Sequence, residues 1–262
     1  MWRHDPGMRK AMGDVYRQDG YFHIESLLNP GLAPWTREEA TAYAELLKGL
    51  VVLTQIDLVF WIIHPRGFGL LLRKSPEIAY SEKAKWDALC RIGDAKFAER
   101  WQAQGDKSAK PLSSQHTLKR DIYTSLSKDL GSFVKTLKQR ISSAYNNDKQ
   151  FVGPIWRDRA KAFNLPDNST ALSEVAAFIL AQAAVQSGVD CLDYPGTVHE
   201  IRSGHGEAGK ALRSIFKGKA SAQEHLDRLL KLRDEIEGKV STPIKLSGRG
   251  RPKAWRPECE CG

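Results

Sequence analysis

The chain has 262 residues, of which 41% are hydrophobic and 27% charged, and it carries a formal net charge of +9. Length and balance suit an ordinary globular protein with one large domain and an appendage, or two modest domains. They exclude a collagen-like, disulfide-scaffold or wholly disordered chain. The positive surplus points to an anionic partner, nucleic acid before an acidic membrane.

Cys90, Cys191, Cys259 and Cys261 form no CxxC pair and no disulfide framework, which fits a reducing cytoplasm. Residues 1–6 lack the apolar core of a signal peptide. Residues 50–63 are apolar, but Gln55 and Asp57 interrupt them, and the run falls short of the roughly 20 residues a membrane helix needs. The expected location is the cytoplasm, with nucleoid association if the partner is DNA, and no membrane.

In chain order, residues 1–19 are polar and irregular or helical. The stretch from Gly20 to Leu28 alternates and is β-prone, which predicts a first strand. Residues 29–34 hold Asn, Gly and two prolines and form a loop. Thr36 and Glu39 have capping-box spacing at the start of a helix whose apolar face is Tyr43, Leu46, Leu47, Leu50 and Val51. Leu58 to Arg73 is the most apolar segment, and His64-Pro65-Arg66 divides it into two buried strands. Gly67 and Gly69 open the second strand. Alternate strand residues share a face, so these two positions look the same way with no side chain on either.

Residues 74–118 turn polar, with a helix predicted from about Ser81 to Gln104 and a solvated linker at 105–111. Leu126 to Asn147 carries the strongest helical stripe: Leu126, Leu130, Phe133, Val134, Leu137, Ile141, Ala144 and Tyr145. The segment from Gln150 to Ala162 passes through Gly153-Pro154 into a basic stretch anchored by Trp156, a candidate further strand. Residues 119–161 hold ten Lys/Arg against four Asp/Glu. An Ala-rich helix runs from Ser173 to Gln186, capped by Ser173 or by Asn168/Ser169 and stopped at Gly188. Two short polar helices are expected over 207–238. From Ser241 the Pro-, Gly- and Arg-rich tail reads as disordered. The organisation is thus a domain over 1–218 with a helical insertion at about 76–118, a helical extension at 219–240 and a basic tail at 241–262.

The order of these elements, with Gly20-Tyr-Phe-His-Ile24, the run Gly67 to Arg73, the helix Phe133 to Asn146 and Gly153-Pro-Ile-Trp-Arg157, resembles the single-tyrosine transposases of bacterial insertion sequences. It is most similar to their REP-associated relatives. The resemblance covers roughly residues 15–215. It implies an α+β fold, a ferredoxin-like antiparallel sheet with helices on one face, accompanied here by the insertion and the C-terminal helices. It also implies DNA transposition within a mobile element, with hairpin or single-stranded DNA as partner and a homodimer among the allowed assemblies. In the family, a His-hydrophobic-His pair on the second central strand holds a divalent metal that polarises the scissile phosphate. A helix tyrosine then makes the covalent link to DNA. Aligned on this chain, the histidines fall on Gly67 and Gly69 and the tyrosine on Ile141, so the resemblance implies a DNA-binding protein without strand cleavage. No cofactor is expected.

Relocated chemistry would need Tyr145 as nucleophile, one helical turn from Ile141, with His23 or His64 as ligands for Mg²⁺ or Mn²⁺. The competing readings are a core aromatic for Tyr145, a solvated turn residue for His64 and an ordinary strand residue for His23. DNA contact falls to Lys135, Lys138, Arg140, Arg157, Arg159 and Lys161, where lysine and arginine neutralise phosphates without catalytic geometry. The alternative is a solvated charged face. In the tail, Arg249-Gly250-Arg251-Pro252 with Lys253 looks like an AT-hook, whose arginines suit a narrow A·T minor groove. Cys259 and Cys261 are incidental on this reading. RNA binding or scaffolding is the remaining alternative function.

Overall fold

A computed structural model describes residues 19–92, 129–204, 206–216 and 220–237. Four strands form one antiparallel sheet: β1 (Gly20–Leu27), β2 (Asp57–His64), β3 (Gly67–Lys74) and β4 (Lys161–Leu165). Their order across the sheet is β2-β3-β1-β4. Helix α1 (Arg37–Thr54) connects β1 to β2, and β2 turns directly into β3. After α2 (Glu82–Arg91) and α3 (Leu130–Lys149), β4 returns to the far side of β1. This is the ferredoxin-like α+β arrangement, a split β-α-β with the third strand inserted between the first two.

Alternation along the strands sends two apolar sets in opposite directions. Phe22, Ile24, Trp61, Ile63, Phe68, Leu70 and Leu72 meet α1 and α3 on one face. Tyr21, Phe60, Ile62 and Leu71 meet α4 (Ser169–Ser187) on the other. The sheet is buried on both sides, which is why β2 and β3 are almost continuously apolar. A register shift between Leu58 and Phe60 turns both Val59 and Phe60 toward the α4 face.

Local signals place the helix ends. The Thr36 hydroxyl accepts from the Glu39 N–H at 3.2 Å, and the Glu39 carboxylate accepts from the Thr36 N–H at 2.7 Å. Glu39 also pairs with Lys149 at 2.8 Å, which ties the start of α1 to the end of α3. Thr36→Ala removes one partner of the box and is expected to cost about 1 kcal/mol, measurable as a lower urea midpoint with an unchanged m-value. Asn168 caps α4 through the Ala171 N–H at 2.7 Å, and Gly188 ends it with φ of 67°.

Apolar residues surround α4 rather than lining one stripe. Leu172, Val175, Ala176, Phe178, Ile179, Leu180 and Ala183 are all buried. A helix of that kind needs cover on every side. The sheet supplies one side. The other comes from α5 (Thr197–Arg202), α6 (Gly206–Phe216) and α7 (Ala222–Glu237), with Leu212, Leu226 and Leu229 in the same cluster. The 219–240 extension therefore shares the core of the second layer.

Two element starts differ from the sequence expectation. The strand anticipated in the basic, Trp156-anchored stretch after Gly153-Pro154 begins only at Lys161; before it, Trp156 makes a single bridge to Leu28. The helix anticipated from Leu126 begins, among the described residues, at Leu130 with Asp129 as its cap. The segment just before α5 also has a role its sequence did not show. The Thr197 hydroxyl accepts from Trp61 N–H at 3.0 Å, and the Pro195 carbonyl from Ile63 N–H at 2.9 Å. It thereby covers the outer edge of β2, an edge that would otherwise template association. The rest of the helix expected over 81–104, the 105–111 linker and the whole tail, with Arg249, Arg251, Lys253, Cys259 and Cys261, lie outside the described residues.

Candidate nucleic-acid interface

Register puts Gly69 between Glu25 of β1 and Ile62 of β2, and Gly67 between Leu27 and His64. Both glycines belong to the alternation of Leu71 and so to the α4 face. That face is closed. A Cβ on Gly69 would stand 2.7 Å from the Ile179 Cγ2. At Gly67 φ is +152°, a value side-chain-bearing residues rarely adopt, and a Cβ would overlap the Ser26 carbonyl oxygen. The two glycines are there because backbone and α4 approach closely, and neither position has room for an imidazole.

Tyr145 and Ile141 lie on the opposite side of the sheet, in the cluster formed by α1, α3 and the Phe22–Ile24–Leu70 face. The Tyr145 hydroxyl donates to the Ala33 carbonyl at 3.3 Å, and its ring meets Phe151 edge to face. It is a core aromatic. The three positions to which the resemblance assigns chemistry are therefore split between two faces, and both tyrosine-helix positions are buried.

His64 is not the solvated turn residue of the competing reading. It is buried, with Nδ1 2.9 Å from the Ser187 hydroxyl at the end of α4. Burial lowers its pKa to about 3. His23 is buried between Phe163 of β4 and Phe178 of α4, with both ring centroids at 5.8 Å. Burial first, and the nearby Lys161 second, lower its pKa to about 4. Both imidazoles are neutral at physiological pH and serve as packing. Among the described residues, no three His, Cys, Asp or Glu side chains are grouped to hold a metal ion.

The cations behave differently. The chain makes two separate contacts with the β1 edge: Arg157 N–H donates to the Leu27 carbonyl at 2.9 Å, and Lys161 opens the paired strand opposite Glu25. Between them Asp158-Arg159-Ala160 forms a bulge without ladder pairing, exposed at Asp158 and Arg159 and packed on the core at Ala160. Arg157, Asp158, Arg159 and Lys161 line a small notch with Glu25, Ser26 and Leu27. Glu25 is buried, and Gln182 of α4 donates to it at 3.4 Å. Burial raises its pKa, against the opposing pull of Lys161 and Arg157.

From the other side, Lys138 of α3 reaches the same bulge. Its ammonium donates to the Asp158 carbonyl at 2.9 Å and lies 4.9 Å from the centre of the Trp156 ring. Partial burial lowers its pKa to about 8, offset by Asp158, so it remains mostly charged at neutral pH. The indole N–H is itself fixed by the Ser142 hydroxyl at 2.8 Å. Arg159 and Lys135 are exposed. Arg140 points away from this group and donates to the Ile92 carbonyl at 3.2 Å. Of the six cations singled out in the folded part of the sequence, four (Lys138, Arg157, Arg159 and Lys161) thus meet at the start of β4, and Arg140 does not join them.

The sequence reading missed Phe163 and Glu25. Phe163 follows Lys161 at strand spacing and is 46% exposed, one of few large apolar side chains in that condition among the described residues. The signal available was an aromatic alternating with a cation directly after a basic run. No described helix is long and apolar enough to cross a membrane. Comparison of the chain with family models, with characterised proteins and with solved structures finds no match.

Proposed function

We propose that the protein is a DNA-binding relative of the single-tyrosine transposases that holds nucleic acid without cleaving it. The observation that carries this reading is the gathering of Lys138, Arg157, Arg159 and Lys161 at one edge of the sheet, while the face bearing Gly67 and Gly69 is packed under Ile179. Arg159 is exposed and Lys138, Arg157 and Lys161 are partly exposed, so they can neutralise phosphates and release counterions. The face that would need metal and substrate access is filled by side chains. The net charge of +9 favours the same partner.

The test is binding of a hairpin DNA by fluorescence anisotropy over a series of salt concentrations, alongside a cleavage assay in Mg²⁺ or Mn²⁺. Arg157→Ala with Arg159→Ala is expected to weaken binding uniformly across sequences. The slope of log K against log salt should fall by about one for each phosphate contact removed. No covalent protein–DNA adduct should form. A covalent adduct would overturn the non-cleaving part of the proposal, and a clear preference for structured RNA over hairpin DNA would overturn the choice of partner.

A further inference from the structure

The two outer edges of the sheet are treated differently. The edge of β2 is covered by Pro195 to Thr197. Among the described residues β4 pairs with β1 alone and stands at the end of the sheet order. On the α4 side of the sheet, α4 reaches as far as His23 through Phe178, which meets the imidazole edge to face. Phe163 lies beyond that contact. Its ring stacks on His23 with an interplanar angle of 23°, and the residue is 46% exposed. Phe163 is thus a half-open aromatic on a short edge strand.

What surrounds Phe163 gives it a use. Lys161 shares its face two residues earlier, about 7 Å away along the strand. Arg157 and Arg159 follow on the bulge beside the notch. Two acids lie among them: Asp158 is engaged by the Arg157 guanidinium at 3.3 Å, and Glu25 is buried opposite Lys161. A flat apolar ring held rigid from behind by a neutral imidazole, next to a short row of cations, is complementary to a nucleotide with its base unstacked and its phosphate free. Paired bases are already stacked and would leave the ring unused.

We propose that Phe163 is a stacking platform for one base of a single-stranded nucleic acid, with Lys161, Arg157 and Arg159 holding the adjoining phosphates. The inference rests on the nucleic-acid reading above and narrows it to unpaired strands. His23 is a positioning residue, setting the plane of the Phe163 ring from the buried side. Sequence preference at the platform is weak, because every base offers a π-face.

The experiment measures the affinity of the full chain for three probes of equal length at one fixed salt concentration: a single-stranded oligonucleotide, the same strand with abasic sites, and the duplex. DNA and RNA versions of the single strand tell the two sugars apart. Phe163→Ala is expected to weaken single-strand binding about 5- to 100-fold and to leave duplex binding and the salt slope unchanged. The abasic strand should bind the wild type as weakly as the intact strand binds the variant, with no further loss when both changes are combined. Phe163→Trp, which keeps a π-face, should restore binding, and far-UV circular dichroism confirms that each variant is folded. Equal single-strand affinity for wild type and a folded Phe163→Ala overturns the platform while leaving DNA binding intact. No binding of any probe by the wild type overturns both.

Discussion

Gly67→Ala is expected to destabilise the protein by about 4 kcal/mol, the sum of two costs of similar size: a side chain at a strained φ and a Cβ forced into a packed backbone. The φ of +152° and the overlap with the Ser26 carbonyl oxygen both belong to this position. Neither neighbour can give way, because Ser26 is part of the paired strand β1. Gly69→Ala meets only the end of the Ile179 side chain, at 2.7 Å from Cγ2. A rotamer change can relieve that contact, so the expected loss is about 1–2 kcal/mol. Urea denaturation of the two single variants checks the ranking. A smaller loss at Gly67 than at Gly69 would show that α4, rather than the strand backbone, sets the constraint. Placing histidine at both positions should not create a metal site. It should separate α4 from the sheet and expose apolar surface, seen as a lower urea midpoint and binding of a hydrophobic dye.

The second large effect is loss of stability in mild acid. His23 and His64 have folded-state pKa values of about 4 and about 3, below the ordinary 6.5. The unfolded chain therefore binds more protons than the folded one between those values and pH 6.5. Stability is complete above about pH 6.5 and falls as the pH drops through the window toward the folded values. At pH 5 each imidazole withholds about 2 kcal/mol, so the pair removes a large part of a typical domain's stability. Glu25 acts in the opposite sense. Its pKa is raised in the folded state, so it binds a proton more readily there, and its contribution grows as the pH falls toward its unfolded value. The net expectation is a thermal midpoint that declines from pH 7 to pH 5. Replacing His23 with phenylalanine, which keeps a ring between Phe163 and Phe178, should remove about half of that decline. A midpoint insensitive to pH over this range would contradict the burial of the two histidines.

Much of the scaffold can be read before any coordinates are seen. Thr36 and Glu39, Asn168 and Gly188 act through neighbours three or four residues away, so their spacing alone places the helix ends. The strand–helix–strand–strand order follows from apolar period and turn residues in the same way. The second helical layer was not legible: the expectation placed helices on one face of the sheet, whereas α4 packs against the other. Where local reading failed, the deciding partner was distant. The strand expected in the Trp156 segment after Gly153-Pro154 slid to Lys161 because pairing with β1, not the propensity of that segment, fixes where the ladder resumes. His64 sits beside a proline in a turn, which reads as solvated. The end of α4 buries it, through Ser187.

The candidate site divides along the same line. Sequence alone determined β2 and β3, the latter opening with Gly67 and Gly69, the absence of side chains there, and the cations clustered around the start of β4. These are properties of residue type and short spacing. Tertiary structure decided what the glycines are for, because Ile179 and the Ser26 carbonyl oxygen reach them from elements far away in the chain. It also decided which cations meet and which do not, since Lys138 and Arg140 are two residues apart on one helix yet face different neighbours. Phe163 gained its meaning in the same way. Its ring stacks on His23, which Phe178 of α4 meets edge to face, and the residue stays 46% exposed; how far a helix reaches across a sheet is set by packing between layers rather than by any local run of residues.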